Sequence, residues 1–196
     1  MTAFTDRPIS DYKLEKRSGL PHTLQVLLDE FPRDGWADHQ HFHGLISFWL
    51  DRHMMFRQIM ETMIEQTEQV MDNRIDPQRY SSQMARYARL FVGQLHGHHH
   101  IEDTHYFPIL ANRDIRLQRG FAILDADHHE LDNQLHLFTD AANGVIAPAG
   151  PTLYPTGAGH YLEVLTQLNH FLERHLEDEE ELVVPVILKY GIGDLT

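Results

Sequence analysis

The stretch His98-His99-His100-Ile101-Glu102-Asp103-Thr104-His105-Tyr106-Phe107-Pro108 decides how this chain is read. A second stretch, His175-Leu176-Glu177-Asp178-Glu179-Glu180-Glu181-Leu182-Val183-Val184-Pro185, repeats its plan. In each, a histidine stands four residues before a glutamate: His98 before Glu102, His175 before Glu179. In each, an apolar residue and a proline follow, with the proline six residues after the glutamate. Residues four apart on a helix share a face, one turn above the other. Each pair therefore stacks an imidazole on a carboxylate, donors that suit one metal centre. Two such helices in one chain point to a metal protein built as a helical bundle.

Around the repeat, four long helical patterns are expected. The first runs from about Asp38 to Asn73 and the second from an Asp76-Pro77 start to about Leu110. An aspartate N-cap followed by proline at the first helical position is a strong start signal. The third runs from about Asp114 to Ala142, with Asn143-Gly144 as its stop. The Pro- and Gly-rich residues 145–159 read as a long loop. The fourth helix runs from Thr156 or Gly159 to Lys189. Nothing reads clearly as strand. The expected fold is all-α, an up-down-up-down four-helix bundle spanning 38–190. Residues 1–37, with Pro8, Pro21, Pro32 and a short amphipathic stretch from Leu20 to Phe31, read as an N-terminal arm with a short helix packed across the body. Residues 191–196 are left as a tail.

Each helix carries a histidine on its apolar stripe. His53 falls in the series Ile46, Trp49, His53, Phe56, Met60, Met63, and His128 in Phe121, Leu124, His128, Leu131, Leu135, Phe138. Phe91, Leu95, His98, Glu102 and His105 make the stripe of the second helix; Leu168, Phe171, His175, Glu179, Leu182 and Val186 make that of the fourth. Alternating steps of three and four place all of these toward the core. A buried unpaired carboxylate is costly. Buried together, His53, His98, Glu102, His128, His175 and Glu179 call for a compensating cation. Histidine and carboxylate without thiolate suit iron, manganese or zinc, and six donors with two carboxylates fit two ions better than one.

Composition narrows the rest. The chain has 196 residues, 16 Lys and Arg against 29 Asp and Glu, a net charge of −13, 16 histidines and no cysteine. That charge argues against duplex nucleic acid and against an anionic membrane as partners. Without cysteine there is no disulfide, no iron–sulfur cluster and no thiolate nucleophile. No apolar run approaches the length of a membrane span and no leader pattern opens the chain, so a cytoplasmic location is expected. The acidic run Glu177–Glu181 reads as a solvated face apart from Glu179. His39, His41 and His43 read as solvated residues at a helix start.

With these residues in view, the sequence resembles the hemerythrin-like, or HHE cation-binding, family over about residues 38 to 190. The resemblance implies a four-helix bundle around a bridged, non-heme di-iron centre. Glu102 and Glu179 would bridge the metals; His53, His98, His128 and His175 would be terminal ligands. The oxygen-carrying members have a His-x-x-x-His pair on the third helix. Here Asp132 follows His128 by four, so one imidazole is missing. His105, His129 and His160 are the candidates to supply it. The implied function is to bind or react with a small diatomic molecule or an oxidant (oxygen, nitric oxide, peroxide), or to handle iron. On this reading the chain is a metal-binding protein, and an oxidoreductase if it turns over. A homo-oligomer or a protein partner is left open. Two alternatives stand beside it. One is a ferritin-like di-metal redox enzyme, because Glu102-x-x-His105 is half of that signature. The other is a structural zinc-binding bundle.

Overall fold

In a computed structural model, residues 8–42, 44–147, 154–191 and 193 are described. Their regular structure is all helical, with no strand among them. Six α-helices follow in order: α1 Val26–Glu30, α2 Leu45–Met71, α3 Pro77–Ile101, α4 Phe107–Ala111, α5 Gln118–Ile146 and α6 Tyr154–Tyr190. Short 3₁₀ turns occupy Ile9–Tyr12, His22–Leu24, Arg33–Asp38 and Ile115–Leu117. A π-helical turn, Glu102–Tyr106, joins α3 to α4.

Helix ends follow local chemistry. The Asp76 side chain accepts the Arg79 backbone N–H at 2.9 Å, capping α3 ahead of Pro77. Helix α2 stops at Met71, and Asn73 takes the left-handed conformation at φ 58° just beyond it. The first long helix was expected from Asp38, but α2 begins at Leu45. Residues 33–38 form a 3₁₀ turn, and Gly44 at φ +50° breaks the backbone just before α2. His39 and His41 therefore lie in the connection, half-buried, with the His41 ring nitrogen 2.7 Å from the Leu188 carbonyl. His43 lies outside the described residues. The expected stop at Asn143-Gly144 is also corrected, because α5 continues to Ile146. The close approach at this point belongs to Gly157, where a Cβ would stand 3.3 Å from the Gly144 carbonyl oxygen. Of the expected loop 145–159, residues 148–153 are outside the described part, and 154 onward is already helix.

The chain packs as two compact units. One comprises Met1–His53, His99–Glu130 and Glu173–Thr196; the other, Met54–His98 and Leu131–Leu172. In the first, Tyr12, Leu20, Leu24, Leu27 and Trp36 of the N-terminal segment join Phe107, Leu110, Phe121, Leu124, Leu182 and Val186 in one apolar cluster. Burial of this kind contributes about 25 cal/mol per Å² of apolar surface, so the segment is part of the core. In the second, Phe56, Phe91, Phe138 and Tyr161 make successive ring contacts with centroids 5.7–6.1 Å apart. The Thr67 and Tyr80 hydroxyls, both buried, satisfy each other at 2.9 Å. No helix among the described residues is long and apolar enough to cross a membrane.

Candidate metal centre

The stripes read from the sequence place their polar members indoors, His105 excepted. His53, His98, Glu102, His128, His175 and Glu179 are all buried. They fall into two groups, each with donor atoms all within 4.8 Å of one another: His53, His98, Glu102 and Glu179 in one, His99, His128 and His175 in the other. His98, in the last turn of α3, and Glu102, the first residue of the π turn, reach theirs from one helical face, as the four-residue spacing requires.

His99 was not foreseen. It is buried, stacks on His128 with ring centroids 4.0 Å apart and planes 10° from parallel, and meets His175 edge-on at 5.4 Å. It gives the group of His128 and His175 a third imidazole, from α3. The three candidates for the missing third-helix imidazole lie elsewhere. His105, His129 and His160 are exposed and belong to neither group. His129 is held at 2.9 Å from the Asp125 carbonyl oxygen, and His160 lies near Glu163.

His105 leaves the stripe because of Pro108. Proline has no N–H to give the carbonyl four residues back, here Thr104, and its ring crowds that carbonyl. The turn widens to π, with the Phe107 N–H bonded five residues back to the Glu102 carbonyl. One residue is thereby inserted, and the buried stripe runs Glu102, Phe107, Leu110 rather than Glu102, His105. The trailing proline of the first motif thus re-aims the helix directly after a buried carboxylate.

Three of the imidazoles, His53, His128 and His175, share one arrangement. The outward nitrogen Nδ1 meets a carboxylate: Glu180 at 3.0 Å for His53, Asp103 at 2.7 Å for His128, Asp127 at 3.5 Å for His175. The inward nitrogen Nε2 faces an inner carboxylate at greater distance. His53 lies 3.4 Å from Glu179, His128 3.6 Å from Glu102 and His175 3.6 Å from Glu179. An outward N–H donated to a carboxylate fixes the tautomer and leaves the inner lone pair exposed, as in metal-ligating histidines. The Nε2 atoms of His128 and His175 are buried and have no hydrogen-bond partner. The Trp49 indole N–H donates to Glu179 Oε1 at 2.5 Å, leaving Oε2 toward the histidines.

The electrostatics express the same crowding. Burial, then the neighbouring Glu179, pushes Glu102 well above the usual carboxylate range. Burial works against a charged His53, yet Glu179 and Glu180 outweigh it and raise its pKa. His175 is lowered by burial despite Asp127, which favours its neutral, ligating form. Burial would raise Asp127, but hydrogen bonds from Arg17 and His175 hold it below the ordinary value. Two buried glutamates facing imidazole lone pairs form a site that a cation completes.

The acidic run beside Glu179 is not a solvated face. Asp178 and Glu180 are buried. Asp178 accepts from Arg17 at 2.8 Å, Arg174 at 2.6 Å and the Leu20 backbone N–H at 3.1 Å. Glu180 joins Arg33 at 2.7 Å to His53.

A helical fold that buries one group of histidines and carboxylates and a second group of three histidines has the donors of a cation-binding domain. The chain belongs to the hemerythrin family: the model of the hemerythrin HHE cation binding domain matches residues 44–187. Compared with curated proteins and with solved structures, the chain finds no match.

Proposed function

We propose that α2, α3, α5 and α6 form an up-down-up-down bundle around a non-heme di-iron centre. We further propose that this centre binds or reacts with a small diatomic molecule or an oxidant. The observation that carries the reading is the position of Glu179 Oε2. It lies 3.4 Å from the Nε2 of His53, in one donor group, and 3.6 Å from the Nε2 of His175, in the other. Bonds of about 2.0–2.2 Å place two donors on one ion about 3 Å apart, so a slight contraction around each ion suffices. His53 and His98 would hold one ion and His99, His128 and His175 the other, with Glu102 and Glu179 between them.

Bound iron would supply Lewis acidity and an accessible change of oxidation state toward a small ligand. The chain's own residues prepare the place. Asp103, Asp127 and Glu180 keep the Nδ1 protons outward. Trp49 fixes the Glu179 carboxylate. Phe107, stacked 5.4 Å from His128, and Phe56, 5.2 Å from His98, keep water from the imidazoles. A donor set of imidazole and carboxylate suits iron and accepts manganese or zinc. We place the protein in the cytoplasm, as a binder of small molecules rather than a dedicated enzyme.

The test is to load the metal-free protein with Fe²⁺ without oxygen, then add oxygen, nitric oxide or peroxide and follow the absorption spectrum. New charge-transfer bands with at least one of the three are expected. An iron-loaded protein whose spectrum none of the three changes contradicts the small-molecule reading. Repeated consumption of the added molecule would make it an oxidoreductase.

A further inference from the structure

Two arginines of the N-terminal segment reach the centre by the same route. Arg17 forks onto Asp127, with Nη1 at 2.7 Å from Oδ1 and Nη2 on Oδ2, and Asp127 Oδ2 faces His175 Nδ1 at 3.5 Å. Its Nε takes Asp178 at 2.8 Å, and its side chain is only 5% exposed. Arg33 places Nη1 2.7 Å from Glu180 Oε2, while Glu180 Oε1 holds His53 Nδ1 at 3.0 Å. Each is a chain of guanidinium, carboxylate and imidazole, and each ends on a histidine of a different donor group. The family match begins at residue 44, so both arginines lie outside it.

We propose that the N-terminal segment is a clasp on the metal centre, in which Arg17 and Arg33 fix the carboxylates that fix His175 and His53 and so set how long the centre keeps its metal. The inference rests on the metal reading above. Its physical basis is the burial of the carboxylates. Asp127 and Asp178 beside one another in the core would repel without the guanidinium between them. A carboxylate freed from its arginine can rotate, and the imidazole it orients loses its fixed aim. Residues that orient a metal ligand typically contribute 10–100-fold to metal affinity. Arg17 and Arg33 are positioning residues, because neither meets the donor atoms that face inward.

The experiment loads the full chain anaerobically with Fe²⁺ and follows its release to a chromogenic chelator. Arg33 is half exposed, so Arg33→Gln is expected to fold and, in its metal-free form, to melt with the wild type. Release from it should be about 10-fold faster, the lower end of that range because Arg33 acts one layer further out. Arg33→Lys, which keeps the charge on Glu180, should restore most of the retention. Arg17→Lys keeps a buried cation but loses the fork onto Asp127, and should also release faster. Lys189→Gln is the control. It breaks the Lys189–Glu30 pair at 2.5 Å, which ties the same segment to α6 without touching a histidine carboxylate. It should leave release unchanged. A wild type that loads Fe²⁺, with Arg33→Gln and Arg17→Lys releasing it at the wild-type rate, overturns the clasp alone. Faster release from Lys189→Gln as well reduces the clasp to general tethering and overturns it too. A wild type that takes up no metal overturns the reading of the centre and the clasp with it.

Discussion

His99 shows how one position of offset changes what a helical residue does. Successive residues point about 100° apart around a helix, so the neighbour of a stripe residue faces an adjacent helix. His98 and His99 accordingly serve different donor groups. The same step places Asp103 beside Glu102, Asp127 beside His128 and Glu180 beside Glu179, each orienting an imidazole. Period-3.6 reading finds the stripe and passes over these neighbours. The signal was present as doublets of His-His, Glu-Asp, Asp-His and Glu-Glu. His99→Ala should leave a folded protein that retains about one metal ion per chain where the wild type holds two, measured by elemental analysis; two retained ions would remove His99 from the centre. Asp127→Asn should weaken metal binding by about 10-fold or more, measured by competition with a chelator, since it weakens both the hold on His175 and the partner of Arg17.

At the scale of elements, the helices were legible because their stripes keep the steps of three and four, and because Asp76-Pro77 is a strong start. What was not legible depends on distant partners. Asn143-Gly144 looks like a stop although α5 runs on to Ile146, and the π turn at Glu102–Tyr106 is written only as Pro108. The N-cap predicts a cost that urea unfolding can read: Asp76→Ala should lose about 1 kcal/mol. Asp114 predicts a pH effect. It accepts the Arg116 backbone N–H at 3.1 Å, pairs with the Arg116 guanidinium, and accepts the Tyr190 hydroxyl at 3.1 Å. Arg116 chiefly holds its carboxyl down, from the ordinary 3.8 to about 2. A lowered carboxyl stabilises the fold above its unfolded pKa and loses that contribution as pH falls through its folded one. Asp114→Asn should therefore melt below the wild type at neutral pH, and the gap should narrow as pH falls from about 4 through about 2. A gap as wide at pH 2 as at neutral pH would contradict the assignment.

At the scale of the whole molecule, the all-helical class, the family and six of the seven clustered donors were legible in the sequence, but not His99, nor that residues before 44 hold the carboxylates that orient those donors. Their apolar members sit in the same cluster as α5 and α6 residues, and their arginines sit under the acidic run of α6. A chain shortened to begin at residue 38 should lose cooperative melting, because removing Tyr12, Leu20, Leu24, Leu27 and Trp36 uncovers that cluster and takes an arginine from three buried carboxylates, Asp127, Asp178 and Glu180. The proposed pair of iron ions is tested by titrating metal-free protein with Fe²⁺, oxidising it, and reading iron content and the absorption spectrum together. Saturation at two irons per chain is expected, with the charge-transfer bands of an oxygen-bridged pair. Saturation at one iron, a preference for stoichiometric zinc, or no uptake would contradict it.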